Sequence, residues 1–238
     1  GITTKKVIDL ALDGIESVKQ LPADYEYKSI QEIQANVLRT NKPYISEDLQ
    51  DALSTFGPTA YYLDFEFIRP TPPFFKGMKN NQLVAFQWSC HFIYNKEDIK
   101  QLSIEDILKI DSSDKNCFQK EFLAEGKEEP SIECAKQLLN VVGNDEYPIL
   151  VYHSTAEKSA IESLAGRAPD YRERLLNLLP RLKDLLPVVR DNICLPEFFN
   201  KAVSLGGSTY SIKTTAHAFC PEFDYANLSA ISKGDMAS

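Results

Sequence analysis

The sequence predicts an α/β fold in which helices pack on a mixed β-sheet. Three observations lead there. Three β-rich segments follow one another as a meander, an α–β–α continuation comes after them, and a helical stretch precedes them all. With 238 residues, 43% of them hydrophobic and 25% charged, the chain has an ordinary globular composition. It exceeds the usual domain of ~100–150 residues and falls short of two.

Residues 1–56 read as an α-helical amino-terminal extension. Val7, Leu10, Ala11, Gly14 and Ile15 recur at helical spacing, as do Ile30, Ile33 and Val37. Ser46 opens a short helix over 47–55, with Asp48 in its first turn, and Gly57-Pro58 ends it. Residues 57–238 read as the α/β domain. Residues 59–68, TAYYLDFEFI, are aromatic and β-branched, as a buried strand requires. Val84, Phe86, Trp88, Cys90, Phe92 and Tyr94 alternate along a second strand over 82–94, and a third runs over 117–123. Pro130 starts a helix with Ile132, Ala135, Leu138, Leu139 and Val142 on one face. Pro148–Tyr152 is a short, continuously apolar strand, the pattern of an interior position. Helices follow over 156–168 and 171–179, and one more over 211–219.

No stretch approaches the ~18 apolar residues of a membrane span, and the first residues lack a signal-peptide core. Five cysteines, odd in number and dispersed, argue against a disulfide framework or a clustered zinc site and for a reducing, cytoplasmic setting. The net charge of −8, from 26 basic and 34 acidic residues, disfavours nucleic-acid binding by charge alone. The distribution is uneven, however. From Phe67 to Lys96 there is no acidic residue, while Arg69, Lys76, Lys79 and Lys96 are basic. The segment 97–133 holds eleven acidic and five basic residues and reads as a solvated face. In the loop after the first strand, Arg69, Phe74, Phe75 and Lys76 stand together, a combination suited to phosphate contact and base stacking. A Pro-rich connection with both phenylalanines in the core is the competing expectation.

Asp64 and Glu66 sit two apart in a strand, on one face and roughly 7 Å apart along the chain. Two carboxylates on one face of an apolar strand repel unless a cation lies between them. Oxygen ligands of this kind suit Mg²⁺ or Mn²⁺, and the alternative is a solvated face of an edge strand. Glu157 falls in the first turn of the helix after Pro148–Tyr152, where catalytic groups of α/β sheets gather. Alone, it reads equally as an acidic residue favoured by the helix dipole.

Taken together, YYLDFEF, AFQWSCHF, EFLAEG, VYHSTAEKSAI, RLKDLLPVV and GSTYSIKTTAHAF resemble the DnaQ-like, or DEDD, exonuclease superfamily of ribonuclease H-like fold. Within it they are similar to an uncharacterised bacterial family. The resemblance covers about residues 55–235. It implies a ribonuclease H-like sheet and metal-dependent 3′–5′ exonuclease action on single-stranded DNA or RNA with two Mg²⁺ or Mn²⁺ ions. Asp64, Glu66 and Glu157 would be metal ligands and catalytic residues. His153, where the superfamily has asparagine, and Lys213, at a position near the substrate in related exonucleases, would join Arg69 and Phe74 in substrate binding. The resemblance also implies a RecB-like nuclease part ahead of this region in a longer chain, which agrees with the start at Gly1. A fourth carboxylate belongs in a late helix, four residues after His or Tyr. Asp235 has Ile231 there, and Asp184 falls where the family has a structural residue. In the resembling family the last motif lies past residue 238, which implies that this stretch is truncated at its carboxyl end; Asp184 as a substitute ligand and a degenerate site are the alternatives. The rival expectations are an inactive module of the same fold that binds nucleic acid or a protein, and a glycosidase using Asp64 and Glu66.

Overall fold

Short elements alternate with turns whose chemistry explains where each one stops. The computed structural model describes residues 4–22, 25–94, 117–205 and 208–221. Helix α1 (Thr4–Leu12) stops ahead of Gly14, whose φ of 77° only glycine adopts freely. Helix α2 (Ser29–Thr40) ends at Asn41 in the left-handed region, its N–H donating to the Val37 carbonyl. Strand β1 (Tyr44–Ile45) follows. Helix α3 (Leu49–Ser54) begins later than the sequence suggests, because Glu47 and Asp48 form a turn in which the Asp48 N–H donates to Ser46 Oγ at 3.2 Å. The next elements are β2 (Ala60–Ile68), β3 (Val84–Ile93), β4 (Cys117–Leu123), α4 (Ser131–Val142), β5 (Ile149–Val151), α5 (Thr155–Arg167) and α6 (Arg172–Leu176). Strand β6 (Leu182–Asp184), α7 (Leu185–Asn192), β7 (Ile193–Cys194), α8 (Pro196–Leu205) and α9 (Ile212–Phe219) complete the order.

The described residues fall into two units: 4–51 with 186–221, and 52–185. The first holds the amino-terminal helices together with the last elements. Strands β1 and β7 pair antiparallel, Tyr44 opposite Cys194 and Ile45 opposite Ile193. The division thus differs from the expected one at residue 56, since chain on both sides of the larger unit shares one unit. Where the sequence suggests a single helix after residue 181, the described residues form two short strands and three helices. Two- and three-residue strands carry no periodicity to read. Asp235, Ile231, Lys96 and the part of the acidic segment over 97–116 lie outside the described residues.

The second unit is built on a five-stranded mixed sheet, in the order β4-β3-β2-β5-β6. Strands β4, β3 and β2 are mutually antiparallel, and β5 and β6 run parallel to β2. Along β2, Tyr61, Leu63 and Phe65 are buried, while Tyr62 and Asp64 are exposed and Glu66 half-buried, so the period of two sorts the carboxylates away from the core. Helices α4 and α5 cover the buried face, with Trp88, Leu138, Ile161 and Leu164 fully enclosed. Each such side chain contributes about 1.5–3 kcal/mol by burial. The expected stripe of α4 needs one correction. Ile132 is 53% exposed, and Ser131 and Cys134 take the inward positions. All five cysteines are free.

Behind the sheet, one polar network fixes the start of β6. Arg181 donates through Nη2 to Asp145 Oδ1 at 2.7 Å and through Nε to the Tyr147 carbonyl at 2.9 Å, and Tyr61 Oη donates to Asp145 Oδ2 at 2.6 Å. The strand that follows Arg181 carries Asp184 to the edge of the site described next.

Candidate functional site

The site lies where the pairing of β5 with β2 runs out. That pairing ends at Tyr62 opposite Leu150, so Asp64 and Glu66 stand on the stretch of β2 beyond it. Across β3 they face Ser89 and Gln87, and a register shift follows between Glu66 and Phe67. After Val151 the chain turns at His153 and Ser154 and enters α5. His153 has φ of 72°, left-handed for a residue with a side chain.

The turn is held by Asp184, whose neighbour across the β5–β6 ladder is Val151. The His153 N–H donates to Asp184 Oδ1 at 2.9 Å and the Ser154 N–H to Oδ2 at 2.8 Å. Glu157, one turn into α5, begins the helix's buried stripe, which continues through Ala160, Ile161, Leu164 and Ala165. It is 4% exposed, and its Oε2 accepts no hydrogen bond.

Burial pushes the Glu157 carboxyl up to about 7, with the charges of Asp64 and Asp184 adding to the effect. Asp64 and Asp184 thus lie near enough for their charges to bear on Glu157. Desolvation likewise raises the Asp64 carboxyl above its ordinary value, although the side chain as a whole is exposed. Glu157 is therefore within electrostatic reach of both Asp64 and Asp184. Glu66 shares the Asp64 face, two residues on.

A buried carboxylate oxygen without a donor, beside two like charges, is unfavourable for the protein alone. A divalent cation would meet the need of Glu157, and hard oxygen donors are the right chemistry for Mg²⁺ or Mn²⁺; Asp184 already accepts two backbone N–H groups. The donors are of the right chemical type for such an ion. Even so, among the described residues no group of three or more His, Cys, Asp and Glu side chains is gathered closely enough to hold a metal. The cluster is an approach of carboxylates, not a preformed cage.

The loop after β2 is pinned at its base. The Asn81 N–H donates to the Pro70 carbonyl at 3.2 Å, Thr71 Oγ1 bonds Asn81 Oδ1, and Arg69 reaches the Asn81 carbonyl while lying over the Phe67 ring. Phe74 is 65% exposed, edge-on to Phe75, so it does not belong to the core. Phe74, Phe75, Ile68, Val84, Phe86 and Lys127 line an open groove of about 550 Å³. Exposed His153 stands at the turn itself. Lys213 belongs to the other unit, half-buried in the first turn of α9.

Sequence reasoning singled out Asp184 at a structural position of the resembling family but did not show its partners, the His153 and Ser154 N–H groups. For Glu157 a signal was present. It occupies position i of a stripe whose i+3, i+4, i+7 and i+8 members are apolar. A carboxylate where a core residue belongs marks a group buried for a purpose other than packing.

Fold and site together define an α/β domain with a carboxylate cluster at the carboxyl ends of its parallel strands. The chain belongs to the family described as domain of unknown function DUF2779, whose model matches residues 61–203, more than half of the chain. Comparisons with curated proteins and with solved structures gave no significant match. Among the described residues no helix is long and apolar enough to cross a membrane.

Proposed function

We propose that this chain is a cytoplasmic, DnaQ-like 3′–5′ exonuclease domain of ribonuclease H-like fold, cutting single-stranded DNA or RNA with Mg²⁺ or Mn²⁺. The observation that carries the reading is the buried, unbonded Glu157 Oε2 beside Asp64 and Asp184. The mixed sheet, three antiparallel strands followed by α–β–α, supports the fold assignment.

Asp64, Glu66 and Glu157 would hold the cations. Such ions supply an activated water and stabilise charge developing on the phosphoryl and leaving oxygens. The protein's own contribution is placement. Strand β2 presents two carboxylates on one face, and the β5–α5 turn delivers the third to them. Arg69 and Lys76 offer charge to the phosphates, Phe74 offers a stacking face, and His153 is a further candidate for substrate contact.

Metal linkage tests the reading directly. Mn²⁺ at a hundredfold excess over its dissociation constant is expected to stabilise the fold by about 2.7 kcal/mol, raising Tm by roughly 5–10 °C. In Asp64→Asn that rise should shrink to a small fraction, while the metal-free Tm holds or increases as repulsion is relieved. Equal Mn²⁺ shifts in wild type and Asp64→Asn, followed by differential scanning fluorimetry, would count against the site.

Phe74 separates substrate binding from folding. Because it is largely exposed, Phe74→Ala should change stability by no more than about 0.5 kcal/mol. Losing one stacking face should weaken a labelled single strand about tenfold. Fluorescence anisotropy at fixed salt checks this, and unchanged affinity removes Phe74 from the substrate path.

A second reading is a module that binds without cutting. It is favoured by the absence, among the described residues, of any group of three or more His, Cys, Asp and Glu side chains that could hold a metal ion.

A further inference from the structure

A cleft of about 290 Å³ opens in the unit formed by residues 4–51 and 186–221. Tyr25, Tyr27, Glu32, Asn36 and Arg39 line it, and the site described above uses none of them. Glu32, Asn36 and Arg39 recur at i, i+4 and i+7, so α2 presents them in a row along one face. The row spans about 10 Å at ~1.5 Å rise per residue. The two tyrosine rings, each half-buried, stand 4.9 Å apart and tilted at 57°.

The arginine is fixed in place. Its Nη2 donates to the Leu21 carbonyl at 3.1 Å and to Tyr27 Oη at 2.9 Å, and its guanidinium lies 5.7 Å from the centre of the Tyr27 ring. Nε and Nη1 donate to no described residue, which leaves an oriented fork open to an anion. Lys6 Nζ stands 4.6 Å from the centre of the Tyr25 ring and adds positive charge. Since each ring already carries a cation, the cleft suits an anionic ligand and not an ammonium. Glu32 supplies the opposite chemistry. It is exposed and forms no ion pair or hydrogen bond with a described residue, and the Asn36 amide is equally unengaged. A carboxylate accepts two adjacent N–H groups. Guanine presents such a pair on its Watson–Crick edge, whereas adenine presents one donor beside an acceptor. A planar base suits the tyrosine pair and a phosphate suits the fork. The volume, at the lower end of ligand pockets of ~300–1,000 Å³, admits one nucleotide and not a strand.

We propose that the cleft between Tyr25, Tyr27 and α2 binds a guanine mononucleotide: the base lies against the tyrosines with its N–H pair on Glu32, and the phosphate meets Arg39. The proposal rests neither on the cation site nor on cleavage.

Isothermal titration of the whole chain in EDTA with GMP, AMP, CMP, guanosine and inorganic phosphate tests it. GMP should bind about tenfold tighter than AMP or CMP, the worth of one two-point base contact, and tighter than guanosine or phosphate. Glu32→Gln exchanges an acceptor oxygen for an amide donor, so GMP should weaken about tenfold and lose its preference over AMP. Tyr25→Ala should weaken all three nucleotides about tenfold by removing a stacking face. Arg39→Lys replaces the fork by a point charge. It should bring GMP close to guanosine and leave guanosine unchanged.

Glu32 is an exposed helix residue, so Glu32→Gln remains decisive even where Tyr25→Ala does not fold. A wild type that binds no GMP, that binds AMP as tightly, or that binds phosphate as tightly overturns the proposal. GMP affinity unmoved by both Glu32→Gln and Arg39→Lys also overturns it, because the nucleotide then sits elsewhere. A chain that takes up GMP in this pattern yet binds no Mn²⁺ loses the cation site alone.

Discussion

Replacing Asp64 by alanine is expected to lower Mn²⁺-dependent release of nucleotides from the 3′ end of a single strand by at least about a thousandfold, or some 4 kcal/mol of transition-state stabilisation. The size follows from where Asp64 stands. It lies on the central strand of the sheet, beyond the end of β5, and acts electrostatically on Glu157. Among the described carboxylates that act on Glu157, Asp64 alone stands on the open face of β2; Glu66, two residues further on, shares that face. Losing Asp64 should leave any cation without its central ligand, so binding and rate should fall together. The measurement is digestion of labelled oligonucleotides, DNA and RNA, 3′-blocked and unblocked, with Mn²⁺ or EDTA. If wild type binds Mn²⁺ through Asp64 but leaves every unblocked strand intact, the binding module replaces the exonuclease. Cleavage in EDTA equal to that in Mn²⁺ would remove the cation from the chemistry altogether.

Much of this site is legible in the amino-acid sequence. The D-x-E pattern has to fall on one face of its strand because the period of a strand is two, and the fold keeps Asp64 and Glu66 on the face opposite Tyr61, Leu63 and Phe65. Glu157 is visible as an acidic residue at a strand-to-helix junction, although its burial is not. The dipole explanation for Glu157 assumes solvent, and the stripe it heads says otherwise. Asp184 illustrates what sequence does not supply. Its strand has three residues, too few for any periodicity, and its two hydrogen bonds reach a turn thirty residues away. Nothing local to RLKDLL encodes that turn's need for an acceptor. The same limit hides the pairing of β1 with β7, two residues each and about 150 positions apart. Long strands and amphipathic helices announce themselves by repetition, whereas short pairings are decided by the tertiary structure that holds them.

The stability of the metal-free protein is expected to fall as pH rises from about 4.5 to 7, and Glu157→Gln is expected to abolish much of that slope. Glu157 is raised from an ordinary 4.5 to about 7 in the folded chain, by burial first and then by Asp64 and Asp184, the charged groups that act on it. Below the lower value both folded and unfolded chains carry the proton, and Glu157 adds no pH dependence. Between the two values the folded chain retains a proton that the unfolded chain has released, so each step up in pH favours unfolding. Above about 7 the folded carboxyl ionises too and the loss levels off. At about 1.4 kcal/mol per pH unit the full difference is on the order of 3 kcal/mol. Glutamine keeps the shape and cannot ionise. Glu157→Gln should therefore match wild type near pH 4.5 and exceed it by up to that amount at pH 8, in urea melts with EDTA present. Mn²⁺ reverses the comparison. Bound by the ionised carboxylate, it should stabilise wild type at pH 8 and release protons, while the variant gains little. Parallel stability–pH curves for the two proteins would place the Glu157 carboxyl in water and remove the physical basis of the cation site.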